Sequence, residues 1–329
     1  MYRKLLAILF VSFLCALSAA AQENSDRIEA KYLFSYGPPG SPIELSQPQQ
    51  IRYDRSSGEI YICDTGHNRI VILDSLGLYL FEFGNSDVMR SPTDVAVDSD
   101  GRIYVLGSAH PESPVNIFDY NGEFLRPMRF QGGPDVSSIA ITSMVMDGAN
   151  RLHLLDENGA RILSYNGLGE FVGEISLMPK ATDAERGKQV WGDLSLFDDR
   201  FYAPNANVGM IFIYDMSESL LSYMGESGGG YGKLSIPVAV SVDTNGNILV
   251  LDKNRCRVLC YNRNGVFGGE LGGIGDGPGR FYMPRAVLID NRQRLWVVQE
   301  YKGLVQALQL QTANGPATVT VQEPVVIDN

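Results

Sequence analysis

Pro48-Gln-Gln-Ile51-Arg-Tyr53-Asp54 leads into Ile60-Tyr-Ile-Cys-Asp64, and the same pattern returns as Pro237-Val-Ala-Val240-Ser-Val242-Asp243 leading into Ile248-Leu-Val-Leu-Asp252. Each copy reads as an apolar strand, a turn, and a second strand ending in a polar residue, with a third and fourth strand behind it. Aligning the residue that ends the second strand gives Asp64, Gly107, Asp156, Asn205, Asp252 and Gln299, spaced by 43, 49, 49, 47 and 47 residues. The first strands give the same count, ending at Asp54, Asp98, Asp147, Phe197, Asp243 and Asp290, with Pro48, Pro92, Ile141, Trp191, Pro237 and Pro284 six residues earlier. A four-stranded sheet with two apolar faces must be stacked between neighbours before its surface leaves water. Six copies therefore predict an all-β, six-bladed β-propeller of four-stranded antiparallel blades.

The local chemistry agrees with that reading. First strands alternate, as in Val95-x-Val97 and Val287-x-Ile289, and turns such as Asp98-Ser-Asp-Gly101 and Asp243-Thr-Asn-Gly246 supply the cap and the positive-φ residue of tight hairpins. Ordinary hairpins use these residues, so calcium is the weaker reading of the same turns. The sixth copy lacks a fourth-strand ending. Its counterpart stands near the N-terminus, where Tyr32-Leu-Phe34-Ser-Tyr36-Gly37 matches Tyr79-Leu-Phe81-Glu-Phe83-Gly84, which predicts that the first strand of the mature chain closes the last blade. Residues 311–329 fall outside the count, and Thr318-Val-Thr-Val-Gln322 is a rival closing strand.

Residues 1–21 read as a secretory signal peptide: Arg3-Lys4, an apolar run from Leu5 to Leu17, and Ala19-x-Ala21 before Gln22. That leaves residues 22–310 as the propeller and an exported protein, periplasmic or extracellular, with no transmembrane segment expected. A lipid-anchored Cys15 is disfavoured by Leu14 before it. The net charge is −11, and losing Arg3 and Lys4 makes it −13, which argues against nucleic acid and for a basic partner. Four cysteines become three without Cys15, an odd number that makes a disulfide framework improbable. Cys256 and Cys260 would lie roughly 13 Å apart in one strand, beyond disulfide reach. Cys63 aligns with Leu106, Leu155 and Leu251 and reads as a small core residue.

The residues resemble the NHL-repeat β-propellers, of the secreted or periplasmic bacterial type. Two features carry the resemblance: the blade-to-blade connections Gly225-Glu-Ser-Gly-Gly-Gly-Tyr-Gly-Lys-Leu-Ser-Ile-Pro237 and Gly272-Gly-Ile-Gly-Asp-Gly-Pro-Gly-Arg-Phe-Tyr-Met-Pro284, and the element Asp64-Thr-Gly-His-Asn-Arg69, repeated at Asp156 to Arg161 and Asp252 to Arg257. The match spans about residues 32–310 and weakens in the fourth and sixth copies, where Met210 and Leu304 replace the arginine. It implies a ring whose connecting loops form a binding face, and no single activity.

Candidate sites follow from that register. The glycine run from Gly272 precedes a strand, whereas a phosphate loop should open a helix. His67 and His110 occupy equivalent loops of adjacent blades, but His153 aligns with Tyr61, Tyr104, Tyr202 and Trp296, a packing position between blades. A three-histidine metal site therefore fails; a two-histidine site at His67 and His110 is the weaker reading, since zinc takes about three protein ligands and no third is marked, and no metal or cofactor is expected. The Asp–Arg pairs five apart read as one structural ion pair reused in each blade. The longest connection, Ser176 to Val190, carries Lys180 and Arg186; Tyr231, Phe281, Tyr282 and Arg285 lie on other connections of the same rim. These residues, with His67, Arg69 and His110, are the expected contacts of a protein or peptide partner, and a multihaem cytochrome is a basic partner of the kind an acidic face would meet. The expectation is a non-catalytic binding or scaffold protein of the cell envelope. The rival is a metal-dependent propeller lyase or lactonase, which needs inward-pointing Asp, Glu, Asn or His where the central strands offer mostly Val, Ile and Leu. A third reading has the tail from Gln311 add a strand to a neighbour.

Overall fold

The computed structural model describes residues 29–38, 40–84, 87–110, 113–178, 180–217 and 220–311. The expected leader and residues 312–329 with the rival strand lie outside the described residues.

Twenty-four strands form six four-stranded antiparallel sheets. The inner strands are Pro48–Tyr53, Asp94–Val97, Ile141–Met146, Ser195–Phe197, Pro237–Val242 and Ala286–Ile289, one per blade. In the sixth sheet Glu29–Tyr36 is the outermost strand, paired to Leu304–Gln311 from Glu29 against Gln311 to Tyr36 against Val305. The ring is thus closed by the N-terminal strand. Gly37 ends that strand at φ +135°, and a Cβ there would fall 1.8 Å from the Gly303 carbonyl oxygen, so the close approach admits only glycine.

The core is divided among the blade interfaces. Ile51, Ile60 and Ile62 of blade 1 pack with Leu288, Trp296 and Val298 of blade 6, while Tyr61, Cys63 and Ile70 of blade 1 pack with Val95, Ile103 and Val105 of blade 2; four similar clusters complete the circle. Neither face of a blade could remain apolar in isolation. Cys63, Cys256 and Cys260 are buried free thiols, and burial pushes Cys260 up to about 12. Cys256 lies at φ +51° in the turn before the strand Arg257–Tyr261 rather than within it.

The first hairpins repeat one device. Asp98 accepts the amides of Asp100 and Arg102 at 3.0 and 2.9 Å; Asp147, Asp243 and Asp290 do the same in blades 3, 5 and 6. The packing position two residues into the second strand donates to the same carboxylates: Tyr104 to Asp98 at 3.3 Å, and Trp296 to Asp290 at 2.9 Å. His153 occupies that position in blade 3, buried, with Nε2 3.2 Å from Asp147 and its ring against Phe201, as the register predicts. Blade 4 alone has Phe197 in place of the aspartate and turns through Asp198 and Asp199, at φ +52° and +55°.

Candidate functional site

Antiparallel pairing places the blade-to-blade connections and the loops between second and third strands at one end of the ring, the loop face. The other hairpins occupy the opposite end, the hairpin face. A channel lined by the inner strands joins the two.

Counting two residues from Pro48 and its equivalents gives Gln50, Asp94, Ser143 and Asp193 in four successive blades, then Ala239 and Ala286. This corrects the expectation of mostly aliphatic central strands. Arg52 crosses from blade 1 and grips Asp94 of blade 2 with two bonds of 2.8 and 2.6 Å. It also donates to Ser143 of blade 3 and to the Leu194 carbonyl of blade 4, both at 3.0 Å. The Asp94 carboxylate further takes Ser143 and the Met144 amide at 3.1 and 2.8 Å. Burial disfavours the Arg52 charge, but Asp94 more than restores it, and its pKa lies above the ordinary value. Four blades are pinned by one saturated ion pair.

Asp193 is held differently. Arg285, from blade 6, reaches its Oδ1 at 3.1 Å, and Gln50 lies beside the carboxyl, yet Oδ2 is buried and completes no hydrogen bond. Burial raises the Asp193 pKa despite Arg285 and Arg52 nearby. Arg285 is raised by Asp193 in turn, and its side chain is 26% exposed. Near it Gln49 donates to Glu300 at 2.8 Å. A divalent cation does not fit this region: the Asp94 oxygens are filled by donors, and Asp193 shares its surroundings with two guanidinium groups. Among the described residues no three His, Cys, Asp or Glu side chains gather as metal ligands.

The rim residues expected from sequence are spread over the loop face. His67 Nδ1 lies 2.8 Å from Asp64, and Arg69 bonds Asp64, Glu82 and the Glu44 carbonyl at 2.7, 2.6 and 2.6 Å, in the wall of a shallow groove on blade 1. Arg161 repeats the pattern with Asp156 and Glu174 at 2.9 and 3.0 Å. The third copy departs from the expected Asp–Arg pair, because Arg257 turns to Glu270 at 3.2 Å while Asp252 accepts main-chain amides. The contact common to all three blades is therefore Arg with the Glu thirteen residues on.

Lys180 is exposed, and Arg186 closes the short helix Asp183–Arg186 through Asp183 and the Met178 carbonyl, each at 3.2 Å. His110 was expected on a loop like that of His67, but its backbone belongs to the strand Ile103–His110, opposite Ser113; its side chain is outside the description. Phe281 is not a contact residue: it is fully buried in the cluster between blades 5 and 6. Tyr231 stands edge-on to Phe267, and Tyr282 lies under the Lys302 ammonium at 5.2 Å; both are 42% exposed. Sequence reasoning missed the Arg52–Asp94 and Asp193–Arg285 pairs. Their signal was present in the aligned polar position Gln50, Asp94, Ser143 and Asp193, but only the ring shows that these blades meet at the axis.

The NHL repeat family model matches residues 45–73 and 234–261, in blades 1 and 5. The protein is a six-bladed propeller carrying NHL repeats. Solved structures share the fold: a streptogramin B lyase, 14% identical over 86% of this chain and 97% of that one, TM-score 0.54; virginiamycin B lyase from Staphylococcus aureus, 14% identical over 86% and 100%, TM-score 0.58; and a protein of unknown function from Bacteroides thetaiotaomicron, 13% identical over 88% and 74%, TM-score 0.60. At these identities the likeness of the NHL-repeat propeller to them is one of fold. No curated protein sequence matches it significantly. Among its described residues no helix is long and apolar enough to cross a membrane.

Proposed function

We propose that this NHL-repeat propeller is an exported binding or scaffold protein that takes a protein or peptide partner on the loop face of blades 4 to 6. One observation carries the reading. Exposed apolar side chains collect on the loops of that sector: Tyr231 and Ile236 on the connection into blade 5, Ile274 and Tyr282 on the connection into blade 6, and Tyr301 after the second strand of blade 6. Ile274 and Tyr301 are 72% and 70% exposed. Aromatic side chains on a rigid scaffold make interface anchors, because they cover large areas at small entropic cost. Over blades 1 to 3 and on the connection from blade 3 into blade 4 the loops carry Glu44, His67, Arg69, Asp183 and Arg186, suited to the rim of a contact. The acidic net charge favours a basic partner.

The test is affinity capture from the native source with wild type and with Ile274→Ser/Tyr282→Ala/Tyr301→Ala. A stoichiometric companion recovered by wild type and lost by the triple variant supports the reading; equal recovery by both overturns it. A second reading, a lyase- or lactonase-like reaction at the loop-face end of the channel, is favoured by the incompletely bonded Asp193. It requires turnover of a small cyclic ester or peptide substrate that Asp193→Asn abolishes and the triple loop variant leaves intact.

A further inference from the structure

The half of the channel toward the hairpin face is a chamber of about 380 Å³, bounded by two arginines from one stretch of blade 1. Arg52, bound to Asp94, stands at its inner end, and Arg55 at its mouth. Between them the wall is mixed: Val97, Val145, Met146, Leu196 and Leu288 supply apolar surface, and Asp98, Ser99, Asp147, Asn150 and Ser195 supply polar surface nearer the mouth. Arg55 bars the mouth. Its Nη2 donates to the Val242 carbonyl of blade 5 at 2.7 Å, and its guanidinium lies 5.0 Å from the ring of Phe197 on blade 4, opposite blade 1 across the channel. Phe197 is the residue that replaces the capping aspartate of the other blades, so this contact exists only because blade 4 departs from the repeat.

Arg55 also differs from three other arginines of this end. Arg102, Arg151 and Arg294 each pair with the aspartate of their own turn, at 2.7, 2.6 and 2.6 Å. Among the described residues no carboxylate lies within ion-pair distance of Arg55. The acids nearest in sequence and across the mouth are occupied: Asp54 takes Ser56 and Ser57, and Asp243 takes Asn247 and the amides of its own turn. Burial lowers the Arg55 pKa, and the more distant Tyr53 and Asp243 offset this only in part.

We propose that the chamber binds a small monocarboxylate with an apolar body, its carboxylate on the Arg55 guanidinium and its hydrocarbon part in the space beneath Arg52. The volume falls within the usual range of small-ligand pockets, and a guanidinium presents two parallel donors to a carboxylate. Entry requires Arg55 to leave one carbonyl and one ring, both weak holds on a flexible side chain. The site is on the face opposite the proposed partner surface and is independent of it.

Titration calorimetry of the full chain with hexanoate, benzoate and the neutral hexanamide tests the proposal. Each carboxylate should bind saturably at one per chain, with hexanamide at least tenfold weaker. Arg55→Met should weaken hexanoate at least tenfold without moving Tm, and Arg55→Lys should recover part of the loss. Arg55→Gln serves the same purpose should the methionine variant fail to fold. No saturable carboxylate binding up to millimolar concentration, equal binding of hexanamide, or full affinity in the variant lacking the guanidinium would each overturn it.

Discussion

The two halves of the central channel are lined by the same six strands, yet they are organised in opposite ways. Toward the loop face, Arg52, Asp94, Ser143, Asp193 and Arg285 meet across the axis in two ion pairs. Toward the hairpin face polar and apolar side chains share the walls of a chamber of about 380 Å³, and the one arginine that crosses it has no carboxylate within ion-pair distance. In an equivalent ring, side chains from opposite blades must either reach one another or leave a void. Long complementary ions can reach; Val, Ile and Ala cannot. The difference shows that rigidity is concentrated at one end of the axis and space at the other.

The largest effect is expected from breaking the saturated pair. Arg52→Met leaves Asp94 charged and buried, and should cost about 3–5 kcal/mol in urea unfolding. Arg52→Met/Asp94→Leu should recover most of that loss, short of about 1–2 kcal/mol for the amide and hydroxyl that Asp94 satisfied. A double variant no better than the single would show that the pair is not the unit holding these blades.

Next in size is the chamber wall. Met144 is fully buried between blades 2 and 3 and borders the chamber, into which neighbours can relax, so Met144→Ala should cost about 2 kcal/mol, the low end for a buried methionine. A loss as large as that from Arg52→Met would mean that the lower half is as tightly packed as the upper.

Asp193→Asn separates the two upper pairs from each other. Asp193 is half-bonded and its pKa is raised, so the folded state holds the proton more tightly than the unfolded chain does. Its contribution therefore declines as pH rises from the ordinary carboxylate range toward the raised value. At pH 7 Asp193→Asn should change stability by no more than about 1 kcal/mol, because lost pairing with Arg285 is offset by relief of a buried charge. The variant should lack the wild-type decline across that interval, measured by thermal unfolding between pH 4 and 7. The smallest effect belongs to Arg55→Met, expected within about 0.5 kcal/mol of wild type, since it removes only one carbonyl bond and one ring contact.

Much of the fold was legible because each repeat states its own local chemistry. The Asp98 and Asp243 turns, the packing role of His153 and the closing strand around Tyr32 to Gly37 all depend on short-range geometry or on a copied word. The candidate site was less so. Phe281 resembled a rim aromatic because its neighbours are glycines and Tyr282, and only the packing of blade 5 on blade 6 buries it. The Asp252–Arg257 pair failed although Glu82 and Glu174 stand at the place of Glu270 in blades 1 and 3; in blade 5 the Asp252 carboxylate is taken by the Ser235, Ile236 and Arg255 amides, contacts that spacing along the chain does not show.

The amino-acid sequence by itself determined the number of blades, their four-strand order and the manner of closure, since these follow from periodicity and from the need of each apolar sheet to be covered. Tertiary structure alone decided which side chains meet at the axis. Arg52 and Asp94 are 42 residues apart, Arg285 and Asp193 are 92 apart, and Arg55 reaches Val242 over 187 residues. Such contacts depend on the ring's diameter and on the reach of each side chain, two quantities that exist only once the circle is closed.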